Sequence, residues 1–286
     1  MTTEPRVEAA QAPAANGRDR IGPLILSAFA LYARGEDNWL SVASLVRLMA
    51  DLGLDDPAVR SSISRLKRRG VLRPERHGKA AGYSLEGSTL EVLAEGDTRI
   101  FERARASSAD GWLLVVFSVP ESDRDKRHEL RTSLTRLGFG TAAPGVWIAP
   151  GNLAAETRRT LNRRGLTAYV DMFAGEYLAF GEPRFKVRGW WDLDELGELY
   201  ADFLQQYRPL LDRVTAQGTT PLVAFQTYLP MLTQWRRLPY RDPGLPLELL
   251  PSAWSGETAG VLFDDLNRAL STPAREHAMT VIHGDS

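Results

Sequence analysis

The clearest hydrophobic patterning lies in the first third of the chain. A helix is expected to open at Gly22-Pro23, with Leu24, Ala28, Leu31 and Tyr32 as its apolar stripe. Ser41 can cap a second helix whose Val42, Leu45, Met49 and Leu52 face inward. Asp55 and Asp56 can cap a third helix, and Pro57 suits its first turn, where a missing N–H has no partner. In that helix Val59, Ile63 and Leu66 share one face, while Arg60, Ser61, Ser64, Arg65 and Arg68 share the other. Gly70 stops it. Val71-Leu72-Arg73 and Tyr83-Ser84-Leu85 then read as strands on either side of a charged, glycine-containing tip at His77-Gly78-Lys79.

The pattern changes downstream. Leu90, Leu93, Ile100 and Phe101 among many charges suggest an amphipathic connecting helix over 86–106. Trp112 to Phe117 reads as a buried strand ended by Pro120, and Leu130, Leu134 and Leu137 mark a helix closed by Gly138. Val146-Trp147-Ile148 reads as a strand with Phe139–Ala142 as its hairpin partner across Pro144-Gly145. A helix through Leu161 ends at Gly165, and residues from Leu166 to Met172 alternate as a last strand. That order, β-α-β-β-α-β, is the ferredoxin-like arrangement. Trp112 and Trp147 are expected in its core. From Gly189 the chain turns helical: Asp192 caps one helix, a second runs over 221–235, and Val261, Leu262, Leu266 and Leu270 mark the last.

The expected class is therefore α+β, with a winged helix-turn-helix over 21–85, a connecting helix over 86–110, a ferredoxin-like domain over 111–188 and a helical C-terminal domain over 189–286. Residues 1–20, rich in Ala, Pro, Thr and charge, are expected to be a disordered tail.

Charge sharpens the first of these readings. The chain of 286 residues is formally −1, yet Arg60 to Lys79 holds eight Lys or Arg against one acid, a net of +7. Such a local excess is a footprint for a polyanion. With the hydroxyl groups and the hairpin, it points to double-stranded DNA. Arg60, Ser61, Ser64, Arg65 and Arg68 are the candidates for the major groove, and Lys67, Arg76, His77 and Lys79 for backbone or minor groove. Residues 240–286 carry three basic groups and seven acids, so that end is not expected to face DNA.

Other chemistry is poorly represented. With no cysteine there is no disulfide, thiolate metal site or cysteine nucleophile. His77, His128, His277 and His283 show no ligand spacing, and no nucleophile elbow, phosphate loop or zinc-protease motif is present. No stretch has the ~20 apolar residues needed to span a bilayer, and no leader pattern opens the chain. A cytoplasmic protein without catalytic residues, metal or cofactor is expected.

Three motifs then carry a resemblance. They are Ala58 to Leu66 with Arg68-Arg69-Gly70, the pair Leu137–Gly140 and Ala143–Ile148, and Trp235-Arg236-Arg237 with Arg241–Pro251. Through them the chain, from about residue 22 to 270, resembles the PaaX-like family of phenylacetate-catabolism repressors. The resemblance implies a homodimer that reads an operator with an inverted repeat. It also implies a middle domain like the CRISPR-associated ferredoxin-fold nucleases, and release from DNA by an aryl-CoA thioester, phenylacetyl-CoA. Trp190, Arg236, Arg237, Tyr240 and Arg241 are the candidate effector-binding residues, because positive charge beside aromatic surface suits phosphates and an acyl group. Two alternatives stand beside this. In the related nucleases an aspartate near the end of the first strand helps bind a divalent metal, and Ser118 stands at that position here, a poor ligand for a hard cation. A non-specific DNA-binding or scaffold protein is the other.

Overall fold

The computed structural model describes residues 17–178 and 180–284. The tail expected over 1–20 lies outside the described residues as far as residue 16, and residues 17–20 belong to the first helix. Among the described residues the chain is α+β, with ten α-helices and two small antiparallel sheets. None of these helices is long and apolar enough to cross a membrane. The chain divides into two compact units, and the segment expected as a helical third domain is shared between them.

The first unit holds residues up to Asp97, Tyr207–Gln234 and the chain from Leu262 onward. Helix α1 (Gly17–Ala28) starts earlier than Gly22-Pro23 and carries Pro23 inside it. Its buried face is Ile21, Ile25, Ala28 and Phe29, continued by Tyr32, whereas Leu24 and Leu31 are only half-buried. The isoleucine pair at i, i+4 brackets the proline and draws the helix through it. A short strand β1 (Trp39–Ser41), which the sequence pattern had not suggested, precedes α2 (Val42–Asp51). The Ser41 hydroxyl accepts the Ser44 N–H at 2.8 Å, so the expected cap forms. Helix α3 (Asp56–Arg68) begins with the Asp55 carboxylate accepting from Ala58 N–H at 3.1 Å. Val59, Ile63 and Leu66 are buried as expected. At about 1.5–3 kcal/mol per buried aliphatic side chain, this face is what holds α3 against α1 and α2. Strands β2 (Leu72–His77) and β3 (Ala80–Leu85) form the hairpin, and β1 joins the far edge of β3. Helix α4 (Gly87–Asp97) follows.

The rest of this unit braces those helices. It comprises the C-terminal half of α8 (Leu193–Gln217), nearly all of α9 (Pro221–Trp235) and most of α10 (Ser255–His283). Gln226 donates to the Asp51 carbonyl at 2.7 Å, His277 meets the Asp51 carboxylate at 2.8 Å, and Thr233 bonds Ser27 at 2.8 Å. Phe225 packs against Tyr32 with ring centres 6.0 Å apart. Leu262, Leu266 and Leu270 are buried, but Val261 is 62% exposed and does not belong to that stripe.

The second unit, Thr98–Gln206 with Trp235–Val261, is built on the β-α-β-β-α-β order. Its elements are β4 (Trp112–Phe117), α5 (Arg124–Arg136), β5 (Gly140–Ala143), β6 (Val146–Pro150), α6 (Ala154–Arg163) and β7 (Val170–Gly175). The sheet order is β5-β6-β4-β7, all antiparallel. Leu113 and Val115 of β4 and Trp147 and Ala149 of β6 meet Leu134 and Leu137, so both helices cover one face. The last strand starts at Val170, not Leu166. Gly165 takes φ +63°, Leu166 N–H returns to the Leu161 carbonyl at 3.0 Å, and the buried Leu166 side chain seals the helix end. Trp147 is buried, while Trp112 is half-buried and meets Trp190 edge-on at 5.5 Å. Helix α7 (Pro183–Trp190) precedes α8 and had no counterpart in the sequence pattern.

Candidate nucleic-acid interface

Helix α3 separates its two kinds of residue by simple periodicity. With the aliphatic face buried, Arg60, Ser61, Ser64, Arg65, Lys67 and Arg68 are all exposed. Their local chemistry differs. Arg60 is folded back onto Asp56 one turn earlier, an exposed i, i+4 pair. Arg65 donates to the Ser62 hydroxyl at 2.6 Å and to Ser61 at 3.3 Å. Ser62, only 1% exposed, sits at the boundary of the buried face and was not among the expected site residues. It tethers one edge of the Arg65 guanidinium and limits the directions in which the fork points. Arg68, Lys67 and Arg69 close the helix, where cations are also favoured by the helix dipole.

The hairpin is a rigid object. Its loop is the two residues Gly78-Lys79, and Gly78 at φ +59° supplies the left-handed position that such a tight turn demands. Arg76 donates across the tip to the Lys79 carbonyl at 3.0 Å. At the base, Glu75 accepts from the Ser84 hydroxyl, from His77 at 3.2 Å and from Arg73 at 3.3 Å. Those hydrogen bonds, Ser84 first, hold its carboxyl below the usual range. Trp39 of β1 lies flat on His77, ring centres 4.4 Å apart and 10° from parallel, and donates to the Glu75 carbonyl at 3.4 Å. A Cβ at Gly82 would collide with the Trp39 ring and the Leu40 carbonyl, so glycine is required beneath that ring. His77 is thus stacked on the sheet and bonded to Glu75, while Lys79 and Arg76 form the exposed tip. Trp39 is the support of this candidate site that sequence reading missed. A lone Trp-Leu before a helix cap is too short to announce a strand.

The second set of expected residues falls in the other unit. Trp190 makes its ring contacts with Trp112, Tyr177 and Trp191. Arg241 pairs with Glu195 at 2.6 Å. The ring of Tyr240 lies beneath the Arg99 guanidinium at 5.4 Å. Arg236 is half-buried and Arg237 exposed. A cavity of about 310 Å³ is lined by Arg188 to Asp194, including Trp190, and by none of these arginines. Beside them stands a polar knot the sequence did not reveal. Asp242, 8% exposed, accepts from Arg105 at 3.1 Å, from the Tyr200 hydroxyl at 2.9 Å and from Gly244 N–H at 2.8 Å. Burial, reinforced by Asp242, pushes the Tyr200 phenol well above its ordinary range. Arg105 also donates to the Leu245 carbonyl at 3.1 Å.

Ser118 follows β4, and its N–H donates to the Tyr169 carbonyl at 3.0 Å. Of the nearby carboxylates, Asp110 accepts from Ser107 and Glu121 pairs with Arg127. Among the described residues, no three His, Asp or Glu side chains converge as a metal site.

Profiles described as PaaX-like protein, PaaX protein central Cas2-like domain and PaaX-like protein C-terminal domain match residues 20–89, 105–187 and 191–280 in turn. The chain is 32% identical over 232 residues to the transcriptional repressor PaaX of Escherichia coli (strain K12), covering 79% of this chain and 72% of that protein. A solved structure of an uncharacterized protein from Mycobacterium tuberculosis shares the fold, with a TM-score of 0.52 and 24% identity over 87% of this chain and 99% of that one. With three profiles in order along its length and a curated relative matched over most of both sequences, the chain belongs to the PaaX-like family.

Proposed function

We propose that this protein is a sequence-specific, DNA-binding transcriptional repressor whose reading head is a winged helix-turn-helix. The observation that carries it is the division of α3 into a buried aliphatic face and an exposed face of arginines and serines, followed by a stiff basic hairpin. In this reading α3 enters the major groove, Arg65 and Arg68 meet guanine edges, and Ser61 and Ser64 serve bases or phosphates. Arg60, Lys67, Arg76 and Lys79 meet the backbone, with His77 holding the hairpin's shape. The relative named as a transcriptional repressor supports the same reading.

The finer proposal follows the family. Two subunits form a homodimer and read an inverted repeat with half-sites one turn, or a multiple, apart. An aryl-CoA thioester such as phenylacetyl-CoA releases the protein from phenylacetate-catabolism or other catabolic genes by binding the released state more tightly than the DNA-bound one. Trp190, Arg236, Arg237, Tyr240 and Arg241 are the residues proposed to meet it, with guanidinium groups for its phosphates and rings for its acyl part.

The test is fluorescence anisotropy of the purified protein on its own upstream intergenic DNA against a scrambled duplex, at fixed salt, with and without phenylacetyl-CoA. Selective binding abolished by the thioester is the expected result. Selective binding untouched by it removes this inducer and keeps the repressor. Equal binding to both duplexes removes the sequence-specific reading and leaves a non-specific DNA-binding protein.

A further inference from the structure

A second basic surface lies in the other unit. Helices α5 and α6, with Arg164 directly after α6, carry nine Lys or Arg against three acids, a net of +6 in a chain of −1. Eight of the nine are arginine. Ordinary solvated helices alternate the sign of their charges along the exposed face. Here the acids are largely used up at the inner edges. Glu129 takes Lys126 at 2.9 Å and Arg164 at 3.5 Å, and Glu156 takes Arg99 at 3.3 Å. What remains outward is positive. Among the described residues, no hydrogen bond or ion pair engages the side chains of Arg124, Arg131, Arg136 or Arg158, and all four are exposed.

Their placement is regular because the inner faces fix it. Leu130, Leu134 and Leu137 of the α5 segment and Thr157 and Leu161 of α6 are buried under the sheet's helical face. The outer row of α5 is therefore Arg124, His128, Arg131 and Thr135, at i, i+4, i+7 and i+11. Arg124 and Arg131 are seven residues apart, about 10 Å along the axis. That equals roughly three base-pair rises along the duplex axis, at about 3.4 Å each. Adjacent packed helices stand ~8–10 Å apart, so α6 sets a second row beside the first. Two such rows can meet the strands on either side of a minor groove about 6 Å wide.

We propose that this helical face binds the phosphate backbone of duplex DNA outside the site read by α3. The proposal rests on the DNA-binding reading above and adds a second, sequence-independent contact. Arginine suits it, since its fork meets phosphate oxygens two at a time. The face offers unpaired arginines and no set of base-reading groups, so its contribution is the same for every flanking sequence.

The test uses the full chain, with R124Q/R131Q/R136Q/R158Q as one variant and the four lysine replacements as another. Anisotropy titrations over a salt series compare two duplexes. One is the shortest whose binding depends on Arg65, and the other extends it by unrelated sequence on both sides. Wild type should bind the longer duplex more tightly and with the steeper salt dependence. The glutamine variant should lose that gain, its log–log slope on the longer duplex falling by about 3–4, at roughly 0.9 per phosphate contact. It should match wild type on the shorter one, and the lysine variant should keep most of the slope. Wild type without a length gain overturns the proposal. So does a glutamine variant that keeps the gain, or one that alters self-association without DNA, which would assign the face to the acidic end of a second copy. Failure of the α3 reading shows differently: no duplex then depends on Arg65, while a length gain lost in the glutamine variant still reports on α5 and α6.

Discussion

Helix α3 with its hairpin and the segment around Trp235–Leu245 look alike as strings: both are arginine-rich, both hold aromatic residues nearby, and both carry family motifs. Folded, they differ. In α3 the arginines are steered by small neighbours, with Arg65 held by Ser61 and Ser62, and remain exposed. In the second segment the polar groups engage one another, the exposed Arg241 on Glu195 and the buried Asp242 taking Arg105, Tyr200 and the Gly244 backbone. The difference teaches that a charge count measures binding capacity only after intramolecular pairing is subtracted. One region presents charge to solvent; the other spends it on holding its own chain.

The largest expected effect tests that inward region. Asp242→Ala removes the acceptor shared by Arg105, Tyr200 and Gly244, leaving a partly buried guanidinium and a buried phenol without it. Breaking such a pair costs about 3–5 kcal/mol. Thermal unfolding should show a loss of several degrees or more, and Asp242→Asn, which keeps an acceptor oxygen, should lose less. If the alanine variant melts like wild type, the knot is not holding the segment.

Where the fold was legible, a local rule and the tertiary structure agreed. Ser41, Asp55 and Asp192 cap because their side chains sit three residues before an N–H that needs an acceptor. Val59, Ile63 and Leu66 declared the buried face of α3, and from it the exposed one. What escaped was non-local or too short. Trp39 matters because β1 pairs with β3, 43 residues away in sequence (Leu40 opposite Tyr83). Asp242 meets Arg105 across 137 residues, and no spacing announces that. Ile21 and Ile25 do not stand out because Pro23 between them reads as a helix start, a preference that tertiary burial outweighs. Of the candidate DNA-binding set, periodicity gave the exposed side of α3. It could not say that Arg60 would return to Asp56 or that His77 would stack on Trp39.

The outward region is broken next. Arg65→Ala should weaken binding to the native operator by ~1–3 kcal/mol and relax sequence preference at one position. Arg65 is partly ordered before it meets DNA, so little of that loss is offset by regained side-chain freedom. Competition between native and scrambled duplexes measures it, and undiminished discrimination would remove Arg65 from the base-reading set.

The smallest effect sharpens the comparison most, because it sets one exposed cation against one paired cation. Lys79 stands at the hairpin tip, where, among the described residues, only its carbonyl is engaged, by Arg76. Lys79→Ala should lower affinity for every sequence alike and reduce the log–log salt slope by about 0.9, the share of one phosphate contact. Arg241→Ala removes a charge already matched by Glu195 and should leave that slope unchanged. Both variants lose one positive charge, so an effect of overall charge would move the two slopes equally. Equal slopes would mean that the hairpin tip does not touch the backbone; a flatter slope for Lys79→Ala alone would place it there.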